Sequence, residues 1–108
     1  MEINITHEND IYYVKLKGML DITSSPELQE RVEAISSDTY EKGGFNMVFD
    51  LADVEYVSSA GIRVFLLARK TADRQKGKMA VINVEKAIYD VFDMTGFEKI
   101  LNVKARSE

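Results

Sequence analysis

Cysteine and tryptophan are absent from this 108-residue chain, and proline and histidine occur once each. Without cysteine there is no disulfide, no thiolate zinc site and no cysteine nucleophile. That composition fits a reducing compartment. The lone histidine, His7, falls beside a predicted turn at the far end of the first strand. A serine triad needs an imidazole next to its nucleophile and a third group to orient it, so His7 is expected to be exposed and structural. The opening MEINITHEND lacks the basic-then-apolar pattern of a secretory signal. No apolar run approaches the roughly 20 residues that span a bilayer. The expectation is a soluble cytoplasmic protein with no membrane insertion.

Other chemistries lack their residues too. The net charge of −4, from 14 basic and 18 acidic residues, is not the basic footprint that direct nucleic-acid binding requires. The one basic run, ARKTADRQKGK, carries Arg69, Lys70, Arg74, Lys76 and Lys78. It reads as cations favoured at a helix C-terminus, with a docking patch as the other reading. No P-loop spacing occurs, and Gly43-Gly44 opens a strand rather than a phosphate-binding helix. Asp50 lies in a predicted strand and Asp53 beyond its end, so the two are expected to face differently rather than share a metal. A phospho-accepting receiver domain needs acids after its first strand, where this chain has Lys15, Lys17 and Gly18. No catalytic residue, metal or cofactor is expected.

What is present is a regular alternation of strands and helices, fitting one domain over residues 1–108. Met1–His7 and Ile11–Lys17 read as strands around the turn cluster Glu8-Asn9-Asp10, forming a hairpin. Gly18–Thr23 reads as a connection. Ser24 with Glu27 has capping-box spacing, and Ser25 with Pro26 has cap-then-first-turn spacing. Leu28, Val32 and Ile35 form the apolar stripe of the first helix. After Gly43-Gly44, Phe45–Leu51 is apolar enough to predict a central strand covered on both faces. Asp53–Val57 reads as a link to a second helix, stopped by Gly77. Met79–Val84 is a further strand. Ile88, Val91 and Phe92 mark a third helix closed by Gly96, and Ile100–Val103 a last strand. The order β-β-α-β-α-β-α-β predicts an α/β fold with a mixed, mainly parallel sheet and an N-terminal antiparallel hairpin.

Ligands of such sheets collect where strands end and helices begin. One such junction lies within Val54–Lys70, VEYVSSAGIRVFLLARK. A serine there can cap the helix, contributing on the order of 1 kcal/mol. Capping accounts for one of Ser58 and Ser59. It leaves unexplained the second serine and Gly61, which costs roughly 1 kcal/mol against alanine inside a helix. The second reading is a hydroxyl displayed for chemistry.

Three stretches carry a resemblance. They are Gly18-Met19-Leu20-Asp21, then Asp50-Leu51 followed by Ser58-Ser59-Ala60-Gly61-Ile62, and then Phe92-Asp93-Met94-Thr95-Gly96-Phe97 with Lys99-Ile100. In this order and spacing, over nearly the whole chain, the sequence resembles the anti-sigma factor antagonist family of the STAS domain. The resemblance implies that Ser59 is the phospho-accepting serine. Ser58 stands where many members carry aspartate, which removes an acid beside the acceptor. It also implies a partner surface of Asp21, Ser58, Ser59, Ala60, Gly61, Ile62 and Arg63. The implied partner is an anti-sigma factor that is a serine kinase with a histidine-kinase-like ATPase fold. The unphosphorylated protein binds it and releases a sigma factor, phosphorylation ends the binding, and a metal-dependent serine phosphatase restores it. Asp21 is expected near Ser59, with a cap on the following segment as its other reading. Two alternative functions are a STAS module in another signalling or transport assembly, and a small serine hydrolase using Ser59.

Overall fold

The computed structural model describes residues 1–107. Strands β1 (Glu2–Glu8) and β2 (Ile11–Leu20) form the expected antiparallel hairpin. Asn9 and Asp10 turn between them with φ of 51° and 65°. Two positive φ values are what a two-residue turn needs to match the twist of its strands, and Asn and Asp tolerate them best after glycine. The chain continues through α1 (Ser25–Thr39), β3 (Asn46–Val57), α2 (Ser59–Arg74), β4 (Lys78–Val84), α3 (Lys86–Thr95), the short α4 (Phe97–Ile100) and β5 (Val103–Ala105). The five strands lie in the order β1-β2-β3-β4-β5, and every pair after the hairpin is parallel.

That order decides where the helices go. Each parallel crossover steps to the next strand in the same direction, so right-handed connections place α1, α2 and α3 on one face. The core lies between them and the sheet. Phe49 of β3 meets Phe65 of α2 edge-on at 4.9 Å, and Phe65 meets Phe92 of α3 at 6.2 Å. All three rings are fully buried. Leu28, Val32 and Ile35 of α1 are buried as the stripe predicts. At the far end of the helix pair, the Thr39 hydroxyl meets Gln75 Oε1 at 2.8 Å, tying α1 to α2.

Several expectations are corrected. β3 is central but covered on one face only: Met47, Phe49 and Leu51 are buried, whereas Asn46, Val48 and Asp50 are half-buried on the open face. The apolar run reflects a sequential strand order that leaves no helix for that face. Asp53 lies within β3 rather than beyond its end, and its partner is on β2 whereas Asp50 bonds toward β4. The β2–β3 ladder shifts register between Lys15 and Lys17, and Lys15, opposite Asp50, reaches Asp53 at 3.8 Å. The Asp50 carboxylate steadies this irregularity by accepting from the Ala52 N–H and Asn83 Nδ2. Gly18–Thr23 and Asp53–Val57 are not mere links, because β2 and β3 stay paired to Leu20 and Val57. Gly18 enables this with φ of 112° at a second register shift.

Gly77 does not supply the left-handed stop, since Lys76 takes φ of 59°. Glycine is needed there because a Cβ would fall 1.8 Å from the Phe45 carbonyl oxygen. Gly96 does close α3 with φ of 80°. The chain then makes one further helical turn, so the last strand begins at Val103 rather than Ile100. Val91, expected on the buried stripe of α3, is 44% exposed.

Candidate functional site

The Ser58-Ser59 junction lies on the rim where β2 and β3 end. The Ser58 N–H donates to the Leu20 carbonyl at 2.8 Å, so the start of α2 is stitched to the end of β2. Ser58 is the N-cap, in extended conformation, and its Oγ accepts from the Gly61 N–H at 3.4 Å. Its hydroxyl is therefore occupied by the orphan amides of the first turn. Ser59 is the first helical residue and is exposed, and its hydroxyl makes no hydrogen bond among the described residues. Capping thus falls to Ser58, and Ser59 is left with an exposed hydroxyl.

Gly61 now has a physical explanation. It is buried, and a Cβ there would lie 2.6 Å from Leu20 Cγ and 3.2 Å from the Leu20 carbonyl oxygen. The bare backbone lets α2 seat directly on β2. Gly61 and Ile62 face inward, whereas Ala60 is half-buried and Arg63 exposed. A Gly61→Ala change is expected to destabilise by about 1–2 kcal/mol, because overpacking outweighs the roughly 1 kcal/mol of helix propensity gained. Denaturant melts would read this as a lower midpoint with an unchanged slope.

Asp21 follows Leu20 at the same corner. Its Oδ1 accepts from the backbone N–H groups of Thr23 and Ser24, both at 3.0 Å. Ser24, the positional N-cap of α1, makes no side-chain cap bond. Its hydroxyl instead donates to the Met19 carbonyl at 2.8 Å and accepts from the Asp21 N–H. Neither expected cap pairing forms, because Asp21 and Ser24 close a reciprocal loop before the helix begins. The Ser24 N–H holds the Asp21 carboxyl below the ordinary carboxylate range, against a smaller opposing effect of desolvation and with help from Thr23. Asp21 therefore stays ionised beside the α2 start at neutral pH, and its immediate bonds are those of a cap.

Three exposed apolar side chains surround this corner and were not legible as site residues. Met19 and Tyr56 are opposite each other in the β2–β3 register and are 49% and 48% exposed. Ile22, 79% exposed, lines a shallow groove of about 370 Å³ between α1 and α2, together with Glu30, Glu33, Ala60 and Arg63. The available signal was an isoleucine inside a segment read as a connection.

The site holds no hydrolytic arrangement. His7 pairs with Tyr12, which pairs with Met47 at the opening end of β3. It is therefore at the opposite end of the sheet from Ser59, stacked on Tyr12 at 3.9 Å. That separation leaves His7 unable to act as a base for Ser59. Among the described residues no cluster of His, Asp and Glu is arranged to hold a metal, and no helix is long and apolar enough to cross a membrane.

Residues 2–108 match the STAS domain family. The chain is 32% identical over 111 residues to the anti-sigma-B factor antagonist of Bacillus subtilis (strain 168), covering all of this chain and 96% of the relative. An anti-sigma factor antagonist from Mycobacterium paratuberculosis has the same fold with a TM-score of 0.81 at 19% identity, over 95% of this chain and 84% of that one. The Bacillus cell fate determinant SpoIIAA in its phosphorylated form superposes with a TM-score of 0.76 at 12% identity, over 99% and 93% of the two chains. These matches assign the chain to regulatory binding proteins rather than enzymes. Together with the strand order and the Ser58-Ser59 corner, they show that the chain belongs to the anti-sigma factor antagonist family of STAS domains.

Proposed function

We propose that this chain binds an anti-sigma factor in its unphosphorylated form, thereby releasing a sigma factor, and that phosphorylation of Ser59 switches the binding off. The partner is a serine kinase with a histidine-kinase-like ATPase fold, and a serine phosphatase resets the cycle. The observation that carries this reading is the division of labour at the α2 start. The Ser58 hydroxyl is used as a cap, while the Ser59 hydroxyl is exposed and free of hydrogen bonds among the described residues. A kinase can reach the Ser59 hydroxyl without breaking a side-chain hydrogen bond of the fold.

Two further points support it. The exposed apolar groups Met19, Ile22 and Tyr56, with Ser59, Ala60 and Arg63, make a mixed surface suited to a protein partner. SpoIIAA, a protein of the same fold, exists in a phosphorylated form. A STAS module in another signalling or transport assembly would share the fold, but the 32% identity to an anti-sigma-B factor antagonist over the whole chain favours the antagonist reading. Asp21, Ser58, Gly61 and Ile62 shape the contact surface through their positions, and Ser59, Ala60 and Arg63 meet the partner.

With the cognate kinase and ATP, Ser58→Ala is expected to take up phosphate and Ser59→Ala none, by phosphopeptide mapping. Label on Ser58 in the unaltered protein would overturn the assignment.

A further inference from the structure

Arg63 is an exposed cation on the first turns of α2 that makes no ion pair among the described residues. Acids lie on the elements alongside it: Glu30 and Glu33 share the α1–α2 groove with it, and Asp21 caps the preceding corner. No oxygen of these is within ion-pair distance of its guanidinium. Two helical cations of the chain are paired at the four-residue spacing, Arg69 with Asp73 at 3.0 Å and Lys86 with Asp90 at 3.3 Å. Arg63 stands at that spacing from Ser59.

Helix geometry gives the spacing a direction. Residues four apart are surface neighbours, about 5–6 Å between Cβ atoms. Helical side chains tilt toward the N-terminus, so a long side chain covers the turn before its own Cα. A group carried on Ser59 therefore lies within reach of the Arg63 side chain. A guanidinium offers a planar fork that matches phosphate oxygens two at a time. In the unmodified protein the Ser59 hydroxyl gives that fork nothing to grip.

Resting on the reading of Ser59 as the modified residue, we infer that Arg63 is the intrachain partner of a Ser59 phosphoryl group. Arg63 positions the phosphate over the first turn of α2 and is drawn out of the α1–α2 groove in doing so. Glu30 and Glu33 then lose the cation that shares their groove. One modification thus alters the partner surface twice, at Ser59 and along the groove.

The test installs phosphoserine at position 59 during translation, so it needs no kinase and its outcome is separate from that of the kinase assignment. The second ionisation of the phosphate is followed by phosphorus NMR in the full chain and in Arg63→Gln and Arg63→Lys variants. Phosphoserine ordinarily has its second pKa near about 6. A nearby cation favours the dianion, so Arg63→Gln is expected to raise this pKa by about half a pH unit relative to Arg63. The lysine variant should recover only part of the difference, because its ammonium is a point charge rather than a fork. The helix terminus acts equally in all three proteins, so the differences report the side chain alone. Identical titrations for Arg63 and Arg63→Gln, with both proteins folded by circular dichroism, would overturn the inference.

Discussion

Phosphorylation of Ser59 is expected to weaken binding of the anti-sigma partner by about two orders of magnitude while the domain keeps its fold. The added group brings roughly −1.5 to −2 charges at neutral pH. For the domain alone this charge sits at the N-terminus of α2, where it is favourable by about 0.3–1 kcal/mol. The α2 start is held by backbone and packing that do not involve the Ser59 side chain: Ser58 N–H to the Leu20 carbonyl, the Ser58 cap, and Gly61 against Leu20. Nothing in the fold has to move. The partner, by contrast, packs in the unmodified state on a small neutral Ser-Ala surface. After modification it meets a bulky hydrated dianion where a small hydroxyl stood. Desolvating a dianion costs several kcal/mol even with one guanidinium beside it, and a net loss of about 3 kcal/mol corresponds to roughly a hundredfold. Calorimetric titration of the partner with both forms measures the loss. Melting of the two forms alone should give equal temperatures or a slight rise on phosphorylation.

The largest effect on stability is expected from Phe65→Ala. Phe65 is fully buried and stands between Phe49 of the sheet and Phe92 of α3. Its removal takes away the burial of a large ring and two aromatic contacts, and leaves a cavity that neighbours from three elements cannot collapse to fill. Phenylalanine-to-alanine changes in such positions cost about 3–5 kcal/mol, against a total stability of about 5–15 kcal/mol for a domain. For a chain of this size the melting temperature should fall by roughly 15 °C or more. Thermal denaturation followed by circular dichroism measures this. Because the α2 start is held separately by Ser58 and Gly61 against Leu20, partner binding should fall only as far as the folded fraction falls at the assay temperature.

The periodic elements were legible because burial in a one-sided layer imposes period. Leu28, Val32 and Ile35 form a stripe with one layer to pack on, and Val14 and Leu16 alternate with exposed lysines for the same reason. Gly96 was legible because a left-handed helix end favours glycine. Gly77 misled for the complementary reason: its requirement is the Phe45 carbonyl, far away in the sequence, which no local pattern reports. The sidedness of β3 also depends on strand order, a long-range property that leaves a half-buried Val48 looking like a core residue. At the site, local sequence reasoning located the Ser58-Ser59 corner but left open which serine caps the helix. Which hydroxyl caps depends on where the helix starts to within one residue, and Leu20 fixes that by receiving the Ser58 N–H. Asp21 and Ser24 showed the same limit, since their loop closes across four residues that propensity rules treat separately.

The central claim is that an unphosphorylated Ser59 surface displaces a sigma factor from its anti-sigma factor. It is tested most directly by adding three forms of this chain to a preformed complex of the two and measuring free sigma factor. The unmodified chain and Ser59→Ala are predicted to release sigma factor in proportion to the amount added, and the chain carrying phosphoserine at 59 to release almost none at the same concentration. Equal release by the modified and unmodified chains, or no release by either, would contradict the account.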